Sequence, residues 1–328
     1  MNLPEIMSMF SSVYSGTPIN HSVFIGNNGV WASYQSLVSY FPYRTKTKCS
    51  VDTKSLKGTL NVLSDSDCVF KEKELEINYG KIKIKLPYTE TDTSLFSVFK
   101  RLKTLSEKED WIDIPNEFES SINICSKTVS ENAVHGTLTC FNFKDNQITT
   151  SNNISVSVVK FDGKFCDCLL NKQSLIGALA INPTHFKSIK NYVLFKNSEG
   201  VIVSLPTVSG EYPDFSDILN VKCDRFIEMD MEVLGKIADV SEKLFEGGDI
   251  YDNTLKFDVK NRKLYVKNIV SSGSISSSMD IDYDGELSFS IDSKTLKVLT
   301  DTNTNLGVSK DKIVVKTSKI TIITAMGC

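Results

Sequence analysis

The sequence predicts an α+β protein built as three tandem domains, each with two helices packed on antiparallel sheets. Three observations carry that prediction. Helix starts of one kind recur at Asp52, Asn171 and Asp292, 119 and 121 positions apart, and each is followed four residues later by a leucine: Leu56, Leu175 and Leu296. Short alternating runs surround each start, broken by Asn/Gly or Lys/Asp turns, which is the pattern of antiparallel strands. Self-similarity at a fixed period marks an array of like units, and 328 residues hold three copies. We place the domains at 1–109, 110–219 and 220–328.

In the first domain, Ile6, Met9, Phe10 and Val13 recur at helical spacing and predict a helix over Leu3–Ser15. Strands follow at Ser22–Ile25 and Val30–Tyr34, joined by Gly26-Asn27-Asn28-Gly29, whose residues tolerate the positive φ of a tight hairpin. A third strand spans Leu37–Tyr43. Asp52 suits a helix N-cap, and Leu56, Leu60 and Leu63 share one face of the helix it opens. A second meander covers Val69–Lys71, Leu75–Tyr79 and Ile82–Leu86. The charged stretch Ser94–Asp110, with Lys100, Arg101, Lys103, Glu107, Lys108 and Glu109, reads as a linker.

The second domain repeats the order. A strand over Trp111–Ile114 precedes a helix begun by Pro115-Asn116 and carrying Phe118, Ile122 and Cys125. A hairpin runs from Thr137–Phe143 through Lys144-Asp145-Asn146 to Gln147–Thr150, and a strand spans Ile154–Phe161. Asn171 opens the second helix, and strands at Tyr192–Phe195 and Val201–Leu205 close the unit. In the third domain Phe226 starts the strand, and Val233, Leu234, Ile237, Val240 and Leu244 mark the first helix. Thr254–Val259 and Leu264–Val266 form the hairpin, and Asp292 opens the last helix.

Between the second and third copies lies Gly210-Glu211-Tyr212-Pro213-Asp214-Phe215-Ser216-Asp217-Ile218-Leu219. Pro213 fixes its own φ and pushes Tyr212 into an extended conformation. The apolar residues of the stretch need something to pack against, so it reads as a hinge with anchors rather than a flexible tether.

Composition bounds the function. A net charge of −3 and a pI near 5.8 exclude an all-over basic surface and leave room for a local basic face. The chain shows no signal-peptide pattern and no apolar run of membrane-spanning length, so we expect a cytoplasmic protein with no membrane partner. The eight cysteines lack paired CxxC spacing and read as reduced thiols, with Cys328 an exposed one.

The thrice-repeated order of strand, helix, three strands, helix, three strands resembles the bacterial DNA polymerase III β subunit, the sliding-clamp family, over nearly the whole chain. Gly210–Phe215 resembles that family's Gly-x-Phe-Pro-Asp-Tyr crossover, and Ile320–Met326 its terminal strand and Met-containing tail. The resemblance implies a head-to-tail homodimer that closes a six-domain ring around duplex DNA without reading its sequence. It further implies a DNA polymerase and a clamp-loader ATPase as partners and no cofactor. The short domains and pared loops suggest a phage-encoded relative.

Lys54 and Lys57, and Lys294 and Lys297 in the matching helix of the third copy, sit at i, i+3 opposite the leucines. With Lys172 and Lys236 they are the candidate DNA contacts. The second copy breaks the pattern, with Gln173 and Ile176 at the lysine positions, so the contacts expected are weak and salt-sensitive, as suits a sliding ring. The resemblance also implies a peptide groove at Thr150, Asn152, Asn153 and Ile154, at Pro213, Asp217 and Ile218, and at Ile322, Ile323, Thr324, Ala325 and Met326. Asp217 stands where the family commonly has a basic residue, which points to partner peptides carrying positive charge. Plain strand core is the competing reading of Ile322 and Ile323. For ring closure, Leu244 and Phe245 could present an apolar knob to the strands carrying Ile77, Ile82 and Ile84.

Two alternatives stay open: a ring that chiefly recruits transcription or repair proteins, and a β-rich structural or adhesion protein with no DNA inside. Asp280-Ile281-Asp282-Tyr283-Asp284-Gly285 imitates the start of a calcium loop, but position twelve is Ile291 instead of glutamate; we read it as an acidic hairpin. Cys166-Asp167-Cys168 puts two thiols on one face without His135 or His185 at ligand spacing. With His21 these are the three histidines, and no nucleophile–base arrangement or phosphate loop stands out, so an enzyme is not expected.

Overall fold

The computed structural model describes residues 1–14, 22–26, 28–34, 37–90, 94–107, 110–223, 225–244, 254–270, 273–301, 306–309 and 312–325. From the N-terminus, Asn2 caps α1 (Leu3–Val13) through a capping box, its Oδ1 accepting from Glu5 N at 2.9 Å while Glu5 Oε2 accepts from Asn2 N at 2.8 Å. Next come β1 (Ser22–Gly26), β2 (Gly29–Tyr34), β3 (Leu37–Pro42), β4 (Cys49–Asp52) and α2 (Thr53–Val62). The meander β5 (Asp67–Phe70), β6 (Glu74–Tyr79) and β7 (Ile82–Thr89) leads to α3 (Ser94–Ser106) and the short β8 (Ile112–Asp113). Then follow α4 (Phe118–Ser126), a 3-10 segment over Ala133–Thr139, β9 (Cys140–Lys144), β10 (Gln147–Ser151) and β11 (Ser155–Lys160). They are succeeded by β12 (Cys168–Asn171), α5 (Lys172–Leu179), β13 (His185–Ile189), β14 (Tyr192–Lys196) and β15 (Ile202–Pro206). The remainder holds α6 (Ser216–Leu219), β16 (Arg225–Ile227), α7 (Met231–Leu244), β17 (Thr254–Lys260), β18 (Lys263–Val270) and β19 (Gly273–Asp280). It ends with β20 (Leu287–Asp292), α8 (Ser293–Asp301), β21 (Leu306–Ser309), β22 (Lys312–Lys316) and β23 (Ile320–Ala325).

The repeat is visible at three junctions. In each, a strand runs straight into a helix at a capping residue: β4 into α2 at Asp52, β12 into α5 at Asn171, β20 into α8 at Asp292. Asp52 Oδ2 accepts from Ser55 N at 2.8 Å, Asn171 Oδ1 from Gln173 N at 3.1 Å, and Asp292 Oδ1 from Thr295 N at 2.9 Å. Leu56, Leu175 and Leu296, the leucines of the sequence repeat, are all buried. Of the capping strands, β4 and β12 have four residues each, too few for alternation to register, whereas the six residues of β20 alternate at Leu287, Phe289 and Ile291 and carry a strand signal that the sequence reading left out.

The chain forms two compact units, Met1–Pro115 with Leu170–Ser209 and Asn116–Leu169 with Gly210–Cys328. The first contains an antiparallel sheet in the order β5-β6-β7-β4-β1-β2-β3-β15-β14-β13-β8. Strand β3 pairs with β15, Val38 facing Ser204 and Tyr40 facing Ile202. α5 lies so close to α1 that a Cβ on Gly177 would come within 2.3 Å of Val13 O, so this approach requires glycine.

The stretch read as a linker is largely the helix α3. Phe99 and Leu102 are buried with Phe24, Trp31, Val38, Leu194 and Ile202, and Leu105 packs beside them. The spacing of these apolar residues outweighs the charges that surround them. The buried Lys187 fixes the segment after the helix: Nζ donates to Leu105 O at 3.0 Å and to Asp110 Oδ1, and lies 5.7 Å from the Trp111 ring centre.

The second unit has an antiparallel sheet ordered β12-β9-β10-β11-β23-β22-β21-β16 and another ordered β19-β18-β17-β20. Its core gathers Leu234, Ile237, Phe257, Val266, Phe289, Leu296, Val315 and Ile322. The acidic segment 281–286 corrects the reading of a hairpin. It joins β19 to β20, which lie at opposite edges of their sheet, and Ile281 drops into the core. Its Asp284 and Glu286 pair with Arg262 at 3.9 Å and Lys260 at 3.6 Å in the β17–β18 turn.

Candidate functional site

The second unit brings the crossover, the end of β10 and the terminal strand together. Gly210, at φ 141°, begins the crossover; a Cβ there would meet Thr137 Cγ2 at 2.9 Å, and Thr137 Oγ1 donates to Glu211 O at 3.1 Å. The Tyr212 and Phe215 rings meet edge to face at 6.1 Å, both half-buried, and burial raises the pKa of the Tyr212 hydroxyl. Asp214 Oδ1 accepts from Ser216 N at 2.9 Å and Ser216 Oγ at 2.5 Å, which starts α6 and holds the Asp214 carboxyl below its ordinary range.

α6 packs beside β23, and β23 pairs with β11, Ile323 facing Val156. Asn152 Oδ1 accepts from Ile154 N at 3.0 Å and Ser155 N at 2.8 Å, turning the chain so that Ile154 points outward at 55% exposure. Ile154 O accepts from Ala325 N at 3.0 Å. Asn153, with φ 75°, Ile154, Pro213, Asp217, Ile218 and Ala325 therefore form an exposed set, apolar around Ile154 and Ile218 and acidic at Asp217.

Four residues expected in that groove belong to the interior. Thr150 is fully buried, its Oγ1 2.7 Å from Thr128 Oγ1 and 3.1 Å from Cys125 O. Ile322 and Ile323 are buried on either face of β23, and Thr324 Oγ1 is 2.6 Å from Ser155 Oγ. β23 has a neighbour on each edge, β11 and β22, and both its faces are covered, so its side chains are core. Met326 lies outside the described residues.

The lysines divide by their partners. Lys54 is exposed and Lys57 half-exposed on α2, and neither makes an ion pair among the described residues. Lys294 is 3.5 Å from Glu131. Lys297 lies 2.9 Å from Asp239 and 3.4 Å from Asp301, and its pKa is raised, first by the bond to Asp239. Lys236 is 2.6 Å from Glu232, which raises its pKa likewise. Lys172 is half-buried at the start of α5. Glu232 and Asp301 stand at i, i+4 from their lysines and were legible in the sequence, whereas Glu131 and Asp239 come from other elements, which spacing could not show.

A second basic stretch went unread. Arg44, Lys46 and Lys48, between β3 and β4, are all exposed and make no ion pair among the described residues. Their i, i+2, i+4 spacing was the signal.

Of the apolar knob, Leu244 is 40% exposed at the end of α7, and Phe245 lies outside the described residues. Ile82 is half-exposed and Ile84 partly exposed. Ile77 is completely buried on β6, between β5 and β7, and is protomer core rather than an accessible contact. Among the described residues no helix is long and apolar enough to cross a membrane.

No protein-family model matches the sequence, and no curated protein matches it significantly. Solved structures match across almost its full length. The putative DNA polymerase III beta subunit of Eubacterium rectale matches with a TM-score of 0.76 at 13% identity, covering 99% of this chain and 96% of that one. The DNA polymerase III beta chain of Streptococcus pneumoniae gives 0.75 at 13%, covering 99% and 97%. The Helicobacter pylori beta clamp bound to a DNA ligase peptide gives 0.70 at 13%, covering 99% and 98%. The chain thus has the fold of the DNA polymerase III beta sliding clamps.

Proposed function

We propose that this chain, with its beta-clamp fold, is a processivity clamp: a homodimeric ring without catalysis of its own that encircles duplex DNA and tethers a DNA polymerase. The observation that carries the reading is the extent of the fold match, which leaves almost no part of the chain outside a clamp protomer. We keep the three-domain division at 1–109, 110–219 and 220–328 as part of this proposal.

Lys54 and Lys57 of α2 are cations with no counter-ion among the described residues, as loose contacts to phosphate require. Arg44, Lys46 and Lys48 add to them. Ile154 and Ile218 offer apolar anchorage for a peptide, and Asp217 a negative charge beside it. A loader ATPase would open and close the ring. Contacts between protomers would involve Leu244 and Phe245 of one chain and Ile82 and Ile84 of the next.

The test combines light scattering with retention on DNA. A dimer held on circular duplex and lost when the circle is cut supports the clamp; a strict monomer, or equal retention on both, removes it. A recruitment platform for repair or transcription proteins is a second reading, favoured by the DNA ligase peptide on the Helicobacter pylori clamp. If product length from a co-purified polymerase does not change on adding this protein, the platform reading gains.

A further inference from the structure

Cys166 and Cys168 have no part in the groove or in the basic helix face. Both are reduced thiols, with Sγ atoms 3.7 Å apart and in van der Waals contact. We propose that Cys166-Asp167-Cys168 is a reversible dithiol–disulfide site, closed and opened by exchange with a small-molecule disulfide of the glutathione class.

Two anchors hold the sulfurs together. On the N-terminal side, the buried Phe165 ring lies 4.6 Å from Phe143 and 4.8 Å from Phe118. On the C-terminal side, Cys168 begins β12, which pairs with β9. Asp167 between them accepts from Asp145 N at 3.3 Å in the β9–β10 turn, which turns the middle side chain away from the two thiols. Alternate residues of an extended segment project to one side, so the sulfurs face each other. A disulfide needs about 2.05 Å between them, so closing the bond requires the two side chains to rotate towards each other.

Access and chemistry fit a switch better than a staple. Both thiols are only partly buried, whereas Cys49, Cys125 and Cys140 are closed off from solvent. A bond between residues two apart constrains the unfolded chain little, so it adds little stability and stays easy to reduce. Cys168 has its pKa raised, first by the hydrogen bond with Cys166 and then by burial, and the attacking thiolate of the proposal is Cys166. Its sulfur attacks one sulfur of the oxidant, forming a mixed disulfide and releasing one thiolate. Cys168 loses its proton and attacks the Cys166 sulfur, forming the intramolecular bond and expelling the second thiolate. The protein loses two electrons and two protons, and the oxidant becomes two thiols.

The experiment incubates the full chain in glutathione buffers running from fully reduced to fully oxidised, then quenches with an alkylating agent for intact and peptide mass spectrometry. We expect the peptide holding both residues to lose the mass of two hydrogens at the oxidised end and regain it on reduction. Cys168→Ser should accumulate a glutathione adduct on Cys166, and Cys166→Ser should form no internal bond. Wild-type protein that stays doubly alkylated in fully oxidised buffer overturns the proposal. So does one that stops at a stable glutathione adduct or links either thiol to another cysteine. The wild-type result alone decides, so failure of a variant to fold does not blunt the test. The outcome is also independent of whether the protein encircles DNA.

Discussion

Lys319 Nζ lies 2.6 Å from Glu117 Oε2 and 2.8 Å from Asp162 Oδ2, so one ammonium closes the β22–β23 turn onto the start of α4 and the end of β11. Its pKa is raised by the bonds to Asp162 and then Glu117. A folded-state pKa above the unfolded one contributes its stability in full below the unfolded value, about 10.4 for lysine. That contribution is lost as pH rises through the folded value. Lys319→Met should therefore lower Tm modestly at neutral pH, and the gap from wild type should close as pH climbs beyond the ordinary lysine range. Melting curves across the alkaline range check this. A gap that does not vary with pH would assign the effect to packing of the lysine stem.

The three capping junctions predict three similar losses. Asp52→Ala, Asn171→Ala and Asp292→Ala should each cost about 1 kcal/mol, since each removes the acceptor for an unpaired amide at a helix start. Asp292 also accepts from Thr295 Oγ1, so its loss should be the largest. Urea denaturation followed by circular dichroism gives the comparison. An Asn171 variant as stable as wild type would detach the middle junction from the series.

Core and groove along the terminal strand should separate cleanly. Ile322→Ala removes a buried side chain and should cost roughly 2–5 kcal/mol. Ile154→Ser and Ile218→Ser act on exposed side chains and should change stability by less than about 0.5 kcal/mol while weakening peptide binding. Asp217→Arg should reverse the preference between lysine-bearing and glutamate-bearing versions of one apolar peptide, read by fluorescence anisotropy. Unchanged peptide affinities in all three exposed variants would return this surface to a plain crossover.

DNA retention should follow the ion-pair pattern. Lys54→Gln and Lys57→Gln should weaken retention on duplex and reduce the salt slope by about 1 each. Lys297→Gln should leave retention nearly unchanged, because Asp239 and Asp301 already hold that ammonium. Equal losses at all three positions would mean that DNA outcompetes the internal carboxylates.

Much of the fold was legible because its signals are local. Cap chemistry at Asp52, Asn171 and Asp292, turn residues at 26–29 and 144–146, and the 3.6 period of α1 and α7 each need only a short window. The candidate site was legible as a neighbourhood and not as a surface. Whether Ile323 faces a groove or a core depends on strands β11 and β22 lying beside β23, and those partners are remote in sequence. The same holds for Lys297, whose neutralising Asp239 comes from another helix, and for Ile77, whose flanking strands close over it. In α3 the signal was present, as Phe99, Leu102 and Leu105, and was masked by the charges between them.

The β3–β15 pairing, covered by α3, bears on how the molecule can be taken apart. A fragment ending near residue 109 would leave the hydrogen-bonding edge of β3 bare and strip α3 of Leu194 and Ile202. Its exposed strand would invite aggregation. A piece cut at the proposed boundary near residue 109 is thus not one expected to survive expression in isolation. A swap of one copy between related proteins would need to carry the matching strand and the riveting helix with it.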